Sequence, residues 1–362
     1  MRNQNNELEC KCTIIIPTYN RSYHLKRILN YYNEYGRDYN IIVADSSSDE
    51  NKRINKKNIL SISKIEILHL DNYSTEITPH AKFAGAVNHV NTKYCVFCAD
   101  DDFITPKGIV QSIDFLEKNP DFVTAQGKFI MFKINTDKTR KQQFYWETKY
   151  RGESFDCADL KDRLKLSVSS PDLYVYFYGI YRKDFLNFAL KECMKYSTGS
   201  VMFDEFFFIH LPQIYGKLKN LDVLYGIREI NPIKEGDRRR VLEFMEDGTY
   251  DERYNKLRSG LATHISKNSE LDIEKSKELV DELWYTYLKK YISFKPAINR
   301  KMKKIMPAFV YNPISSLYRK LFSKDIRNLP VRYKEYSSKY YGDINRIRDY
   351  ILQYPPNKVK TK

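Results

Sequence analysis

A chain of 362 residues, 42% of them hydrophobic, is long and apolar enough to bury a real core, which excludes a disordered protein and leaves room for one large domain with an extension or for two domains. Six cysteines at this length make no disulfide framework and predict a reducing, cytoplasmic setting. The opening "MRNQNNELECK" lacks the apolar core of a secretion signal, and no apolar run approaches the roughly 20 residues that span a bilayer. The formal charge of +15 is one-sided: Lys289 to Lys362 holds 19 Lys and Arg against four acidic residues, which leaves 42 of each sign before it. A neutral body and a basic tail are expected to do different work.

In chain order, "CTIIIPTYN" predicts a short buried strand, Thr13 to Ile16, that stops at Pro17 for want of a backbone N–H. Leu25, Ile28, Leu29 and Tyr32 recur at helical spacing after Ser22, and Gly36 ends the pattern. "YNIIVADSSSD" is a second buried strand running into a polar turn at Asp45, so the unit is a parallel crossover. "KIEILHL" is a third strand, "AKFAGAVNHVNT" a helix and "KYCVFCA" a fourth strand. That strand delivers Asp100, Asp101 and Asp102 just before a helix capped by Thr105 with Pro106 in its first turn. Cys95 and Cys98 lie three apart on a strand and point to opposite faces, and "CKC" at Cys10 and Cys12 has no second pair at suitable spacing. Zinc is not expected.

Beyond residue 120, "DFVTAQGKFIMFKI" reads as extended pairs, "NTDKTRKQQ" as an exposed loop and "DLKDRLKLS" as a helix. Tyr174, Tyr176 and Tyr178 of "SSPDLYVYFYGIYR" alternate onto one strand face, either as a platform for a sugar ring or as core packing, with Tyr181 elsewhere. "LDIEKSKELVDELWYTYLKKYI" is an amphipathic helix, and the prolines from Pro296 onward cut the tail into short basic, aromatic pieces.

Adjacent carboxylates repel one another unless water or a cation answers them. The aspartates fall with Pro17 and Asp45 beyond the carboxyl ends of parallel strands, where open α/β sheets bind ligands. The three segments "IIIPTYNR", "IIVADSSSDE" and "CADDDFITP", in this order and strand context, resemble the inverting glycosyltransferases of family 2 over roughly residues 12 to 230. The resemblance implies a GT-A fold: a Rossmann-like, open, mostly parallel sheet flanked by helices, here with a C-terminal helical, basic extension. It divides the chain into a nucleotide-sugar-binding catalytic domain at 1–230, a helical extension at 231–294 and a basic, aromatic-rich region at 295–362.

The resemblance also implies roles. Pro17, Thr18 and Tyr19 would meet the nucleotide, with Tyr19 against the base. Asp45 would accept from the base, which as an ionised carboxylate suits the N3–H of uracil or thymine, so UDP or dTDP. Lys82 and Asn88 match a basic residue and a following Asn in relatives, Lys82 being otherwise a solvated helix lysine. Asp101 would hold Mn²⁺ or Mg²⁺ with Asp102 beside it, while Asp100 either pairs with Asp102 in a shifted register or contacts ribose. This spelling departs from the usual Asp-x-Asp, since Ala99 stands at the commonly acidic first place. Asp204 and Glu205 match the late acidic pair that supplies the base, with Asp204 favoured. Arg228, or Arg238 to Arg240, would close over the diphosphate, and His80 and His89 are expected to be bystanders. The implied partners are a nucleotide-sugar donor, a glycan or lipid-linked hydroxyl acceptor in surface polysaccharide or lipo-oligosaccharide synthesis, and an anionic membrane surface met by the tail. The competing reading is an inactive protein of this fold whose tail binds anionic membrane or RNA.

Overall fold

The computed structural model describes residues 11–35, 39–136, 142–147, 152–230, 241–291 and 340–353. Cys10, Gly36, Arg238 to Arg240, the middle of the expected loop at 137–141 and the basic stretch 292–339 lie outside the described residues. Nine strands form one sheet among the described residues. They are β1 (Cys12–Thr18), β2 (Tyr39–Asp45), β3 (Ile67–Leu70), β4 (Tyr94–Phe97), β5 (Phe103–Ile104), β6 (Phe122–Thr136), β7 (Gln142–Glu147), β8 (Ile180–Arg182) and β9 (Lys217–Glu229). Their order is β3-β2-β1-β4-β8-β6-β9-β5, with β7 on β6. The run β3-β2-β1-β4 is parallel; β8 is antiparallel to both its neighbours, and β6 and β9 run parallel. The expected extended pairs after residue 120 are one long strand, β6.

β1 continues past the predicted stop, pairing Pro17 with Ala44 and Thr18 with Asp45. The reason is directional. Cys98 N–H donates to Ile15 O, whereas Ser46 N–H donates to Thr18 O, so odd positions of β1 face β4 and even positions face β2. The N–H that Pro17 lacks therefore belongs on the β4 side, where the ladder has already ended at Phe97.

Alternation of β1 and β2 feeds two cores. Ile14, Ile16, Ile41 and Val43 pack with α1 (Ser22–Tyr35) and α4 (Pro106–Lys118); Ile15, Ile42 and Ala44 pack with α3 (Pro79–Val87), α6 (Lys183–Lys195) and α7 (Val201–Tyr215). Cys98 sits in the first core and Cys95 in the second, as their spacing requires. The crossover after β2 is α2 (Asp49–Leu60), and α5 (Leu160–Ser169) forms where expected. Thr105 caps α4, accepting from Gly108 N–H at 3.0 Å.

The strand expected at the tyrosines is corrected. Leu173–Tyr178 is a 3₁₀ helix, not a strand, so the tyrosines follow a period of three: Tyr176 is buried, Tyr174 packs near Tyr287, and Tyr178 alone turns to the strand edge beside Arg228. The helices α8 (Val241–Glu246), α9 (Tyr250–Lys267) and α10 (Ile273–Tyr291) share the second core. The last helix, α11 (Tyr341–Gln353), inserts Ile344, Ile347, Tyr350 and Ile351 into the first core. Tyr350 donates to Arg27 O at 3.0 Å and meets Tyr31, Tyr35 and Phe103 edge to face. Among the described residues no helix is long and apolar enough to cross a membrane.

Candidate active site

The carboxyl ends of β1, β2 and β4 meet at one edge. Thr18 closes β1 and its hydroxyl donates to Asp100 Oδ2 at 2.7 Å. Lys82 reaches the same place from α3, its Nζ donating to Thr18 O at 3.2 Å and Ser46 Oγ at 2.9 Å. With 7% of its surface exposed, Lys82 is part of the strand edge and not a solvated lysine. Tyr19, by contrast, is 49% exposed. Asn20 adopts the left-handed conformation (φ 54°) that asparagine tolerates. It binds Ser47 Oγ through its N–H and Ser48 N–H through Oδ1, which ties the loops after β1 and β2 together beneath Tyr19.

Each aspartate of the triplet meets a guanidinium. Arg21 bridges two of them, with Nη1 3.0 Å from Asp100 Oδ1 and Nη2 2.6 Å from Asp101 Oδ2. Pairing of Phe103 with Ile227 sets Asp102 beside β9, where Oδ2 takes Arg228 Nε at 3.0 Å and Oδ1 takes Glu229 N–H at 3.2 Å. Burial pushes the Asp102 carboxyl up to about 7 while Arg228 pulls against it. Arg27, fully buried, donates to Asp101 O at 3.3 Å and Glu229 Oε2 at 2.5 Å, and its guanidinium lies 5.2 Å from the Phe103 ring. The Arg228 guanidinium lies 4.3 Å from the Tyr178 ring centroid, a cation–π arrangement.

Asp45 is enclosed by its own neighbours. Its residue is 0% exposed; Oδ1 accepts from Ser47 N–H at 2.9 Å, and Oδ2 from Asn55 Nδ2 at 2.8 Å and His69 Nε2 at 3.1 Å. Burial raises its pKa, but the bonds from His69, Ser47 and Asn55 outweigh burial and bring it to about 2. This carboxylate fastens β2 to β3 and α2. Asn88 and His89 are exposed at the end of α3, away from this network, while His80 is buried.

The acidic pair divides at α7. Asp204 turns back to the preceding turn, where Oδ2 accepts from Ser197 Oγ at 2.6 Å and Oδ1 from Thr198 N–H at 2.8 Å and Thr198 Oγ1 at 3.0 Å. Glu205 is half-buried, and with Arg228, Asp102 and Asp101 it is one of the charges acting on the Tyr178 hydroxyl. Arg21, Arg27 and Glu229 received no role from sequence. Arg21 lay inside the first motif, and the only signal for Arg27 was a charge falling on the apolar face of α1.

Among the described residues no group of three or more His, Cys, Asp and Glu side chains is disposed to hold a metal. A divalent ion that keeps phosphate and water ligands needs only one or two protein carboxylates. Asp101 fits that need, being a hard oxygen donor whose present partner, Arg21, is itself a cation at the mouth of the site. Asp102 does not fit it, with both oxygens pinned by β9.

Residues 13–183 match the sequence model of Glycosyl transferase family 2. No curated protein sequence matches. Among solved structures, S. aureus TarS aligns at TM-score 0.50 and 14% identity over 80% of this chain and 45% of its own, so this chain spans about half of that protein. TarS 1-349 aligns at TM-score 0.50 and 16% identity over 80% of this chain and 74% of its own, and the same fragment in complex with UDP-GlcNAc at 0.50 and 14% over 80% and 76%. The open mixed sheet and the motif-bearing strand ends agree with the family match: residues 13–183 form a Glycosyl transferase family 2 domain.

Proposed function

We propose that the protein transfers one sugar from a UDP-sugar, or a dTDP-sugar, to a hydroxyl acceptor with inversion at C1. The observation that carries this reading is the convergence of Thr18, Lys82, Arg21 and Arg228 with Asp100, Asp101 and Asp102 on one strand edge, where a dianionic diphosphate finds cations and an acidic counterweight together. Because Asp45 is turned inward, the choice of uracil rests on the UDP-GlcNAc complex of the structurally similar TarS fragment. Asp101 would hold Mn²⁺ or Mg²⁺, which when bound would supply Lewis acidity toward the diphosphate. The exposed Tyr19 covers the base, Lys82 and Arg228 face the diphosphate, and Glu205 is the base. Glu205 takes the proton of the acceptor hydroxyl as the new O–C1 bond forms and the electron pair of the C1–O bond leaves with the nucleotide. A single displacement of this kind inverts C1 and needs no protein nucleophile. The acceptor is a glycan or lipid-linked hydroxyl, held near an anionic membrane surface by the basic residues of the tail.

The test is a thermal-shift and turnover panel of UDP, dTDP, GDP and CDP sugars with and without Mn²⁺. Stabilisation and sugar transfer with a uracil or thymine donor, dependent on the ion, are expected. A flat response to every donor would sink the reading.

A further inference from the structure

Resting on that reading, we infer that Arg21 is an exchangeable counter-ion, which holds Asp101 in the empty enzyme and passes to the diphosphate when metal and donor arrive together. The three arginines of the site are built differently. Arg27 is the fixed one: its side chain is 1% exposed, wedged under Asp101 O and Glu229, with Tyr350 on its carbonyl. Arg228 lies over the Tyr178 ring and binds an Asp102 that is also held by a backbone N–H. Arg21 has its side chain 14% exposed and stands outside any regular element, between Asn20 and the first residue of α1. Its guanidinium can therefore turn without unwinding a helix.

The charges explain why it should turn. Among the described residues, four carboxyl groups, Asp100, Asp101, Asp102 and Glu229, face three guanidinium groups, Arg21, Arg27 and Arg228, with Lys82 behind Thr18. His24, alongside, is held neutral by burial, with its pKa lowered to about 3. Arg21 thus occupies, with one charge, the oxygen a divalent ion would take with two. A free ion must displace it and leave a guanidinium beside the ion, which is unfavourable. An ion arriving with a diphosphate offers Arg21 a new planar, bidentate partner in the same step. Metal and nucleotide binding become coupled through one side chain, and such coupling is reciprocal.

The test is calorimetry of Mn²⁺ and UDP, separately and together, on the full chain and on Arg21→Ala and Arg21→Lys. Arg21→Ala should bind Mn²⁺ alone about tenfold more tightly, because Asp101 loses a cation that competes for its oxygen, yet bind UDP in the presence of Mn²⁺ about tenfold more weakly, because the diphosphate loses a partner. Arg21→Lys, which keeps the charge but not the fork, should lie between the two. Should Arg21→Ala not fold, the lysine variant alone decides by the same opposite movements. If Mn²⁺ affinity is unchanged while UDP weakens, Arg21 is only a phosphate contact; if both weaken, it only supports the site. Either result overturns the exchange. Wild-type protein that binds neither UDP nor Mn²⁺ would instead fail the proposed function itself.

Discussion

Asp204 and Glu205 are neighbours in sequence with opposite assignments. Three donors converge on Asp204 from the turn before its own helix, so Asp204→Asn should lower the melting temperature, since one of two accepting oxygens becomes an NH2 that cannot accept. Glu205→Gln should leave the fold and nucleotide affinity near wild type and cut turnover by roughly 10²- to 10⁴-fold, the usual worth of a general base. Turnover lost in the Asp204 variant at unchanged stability, with Glu205→Gln active, would reverse the roles. Sequence names the pair and favours Asp204, whereas the proposal here takes Glu205, because a motif gives order along the chain and not the bonds each side chain makes. Asp45 is the same case: "VADSSS" marks a carboxylate at a strand end, and only the neighbouring Asn55 and His69, brought in from α2 and β3, decide that it points inward.

At the scale of elements, the parallel half of the sheet was legible, because buried β-strands and capped helices carry local signals: the run "CTIIIPT" became β1, and Thr105 with Pro106 marked the start of α4. What sequence could not give was long-range covering. The period of "LYVYFY" fits a strand as well as a 3₁₀ turn until Tyr176 finds Glu153 O and Tyr225 finds Tyr178 O. Likewise α11 is amphipathic, but nothing in it says that its partners are Tyr31, Tyr35 and Phe103. Tyr350→Ala removes a fully buried ring and its bond to Arg27 O and should cost about 3–5 kcal/mol. Calorimetric or chemical unfolding checks it. A cost below about 1 kcal/mol, the range of surface changes, would mean that α11 is an appendage.

For the whole molecule, charge and fold are distributed differently. The excess of basic residues lies after Lys289, where each Lys or Arg near an anionic bilayer contributes about 1 kcal/mol. Replacing Arg300, Lys301, Lys303 and Lys304 by Gln should weaken sedimentation with anionic liposomes and leave UDP affinity intact. These substitutions are preferable to deletion from residue 295, which would strip α11 from the core. Equal sedimentation of variant and wild type, or salt-sensitive binding to RNA but not to liposomes, would dismiss the membrane role. The contact between Tyr350 and Arg27 joins positions 323 residues apart, and it bears on how the protein is made. On the ribosome the strands β1 to β4 emerge early, yet the aromatic face of α1 stays uncovered until α11 leaves the exit tunnel. Packing of the sheet's first core is thus completed only after Gln353 has been translated, and until then Tyr31, Tyr35 and Phe103 are a surface for chaperones to shield.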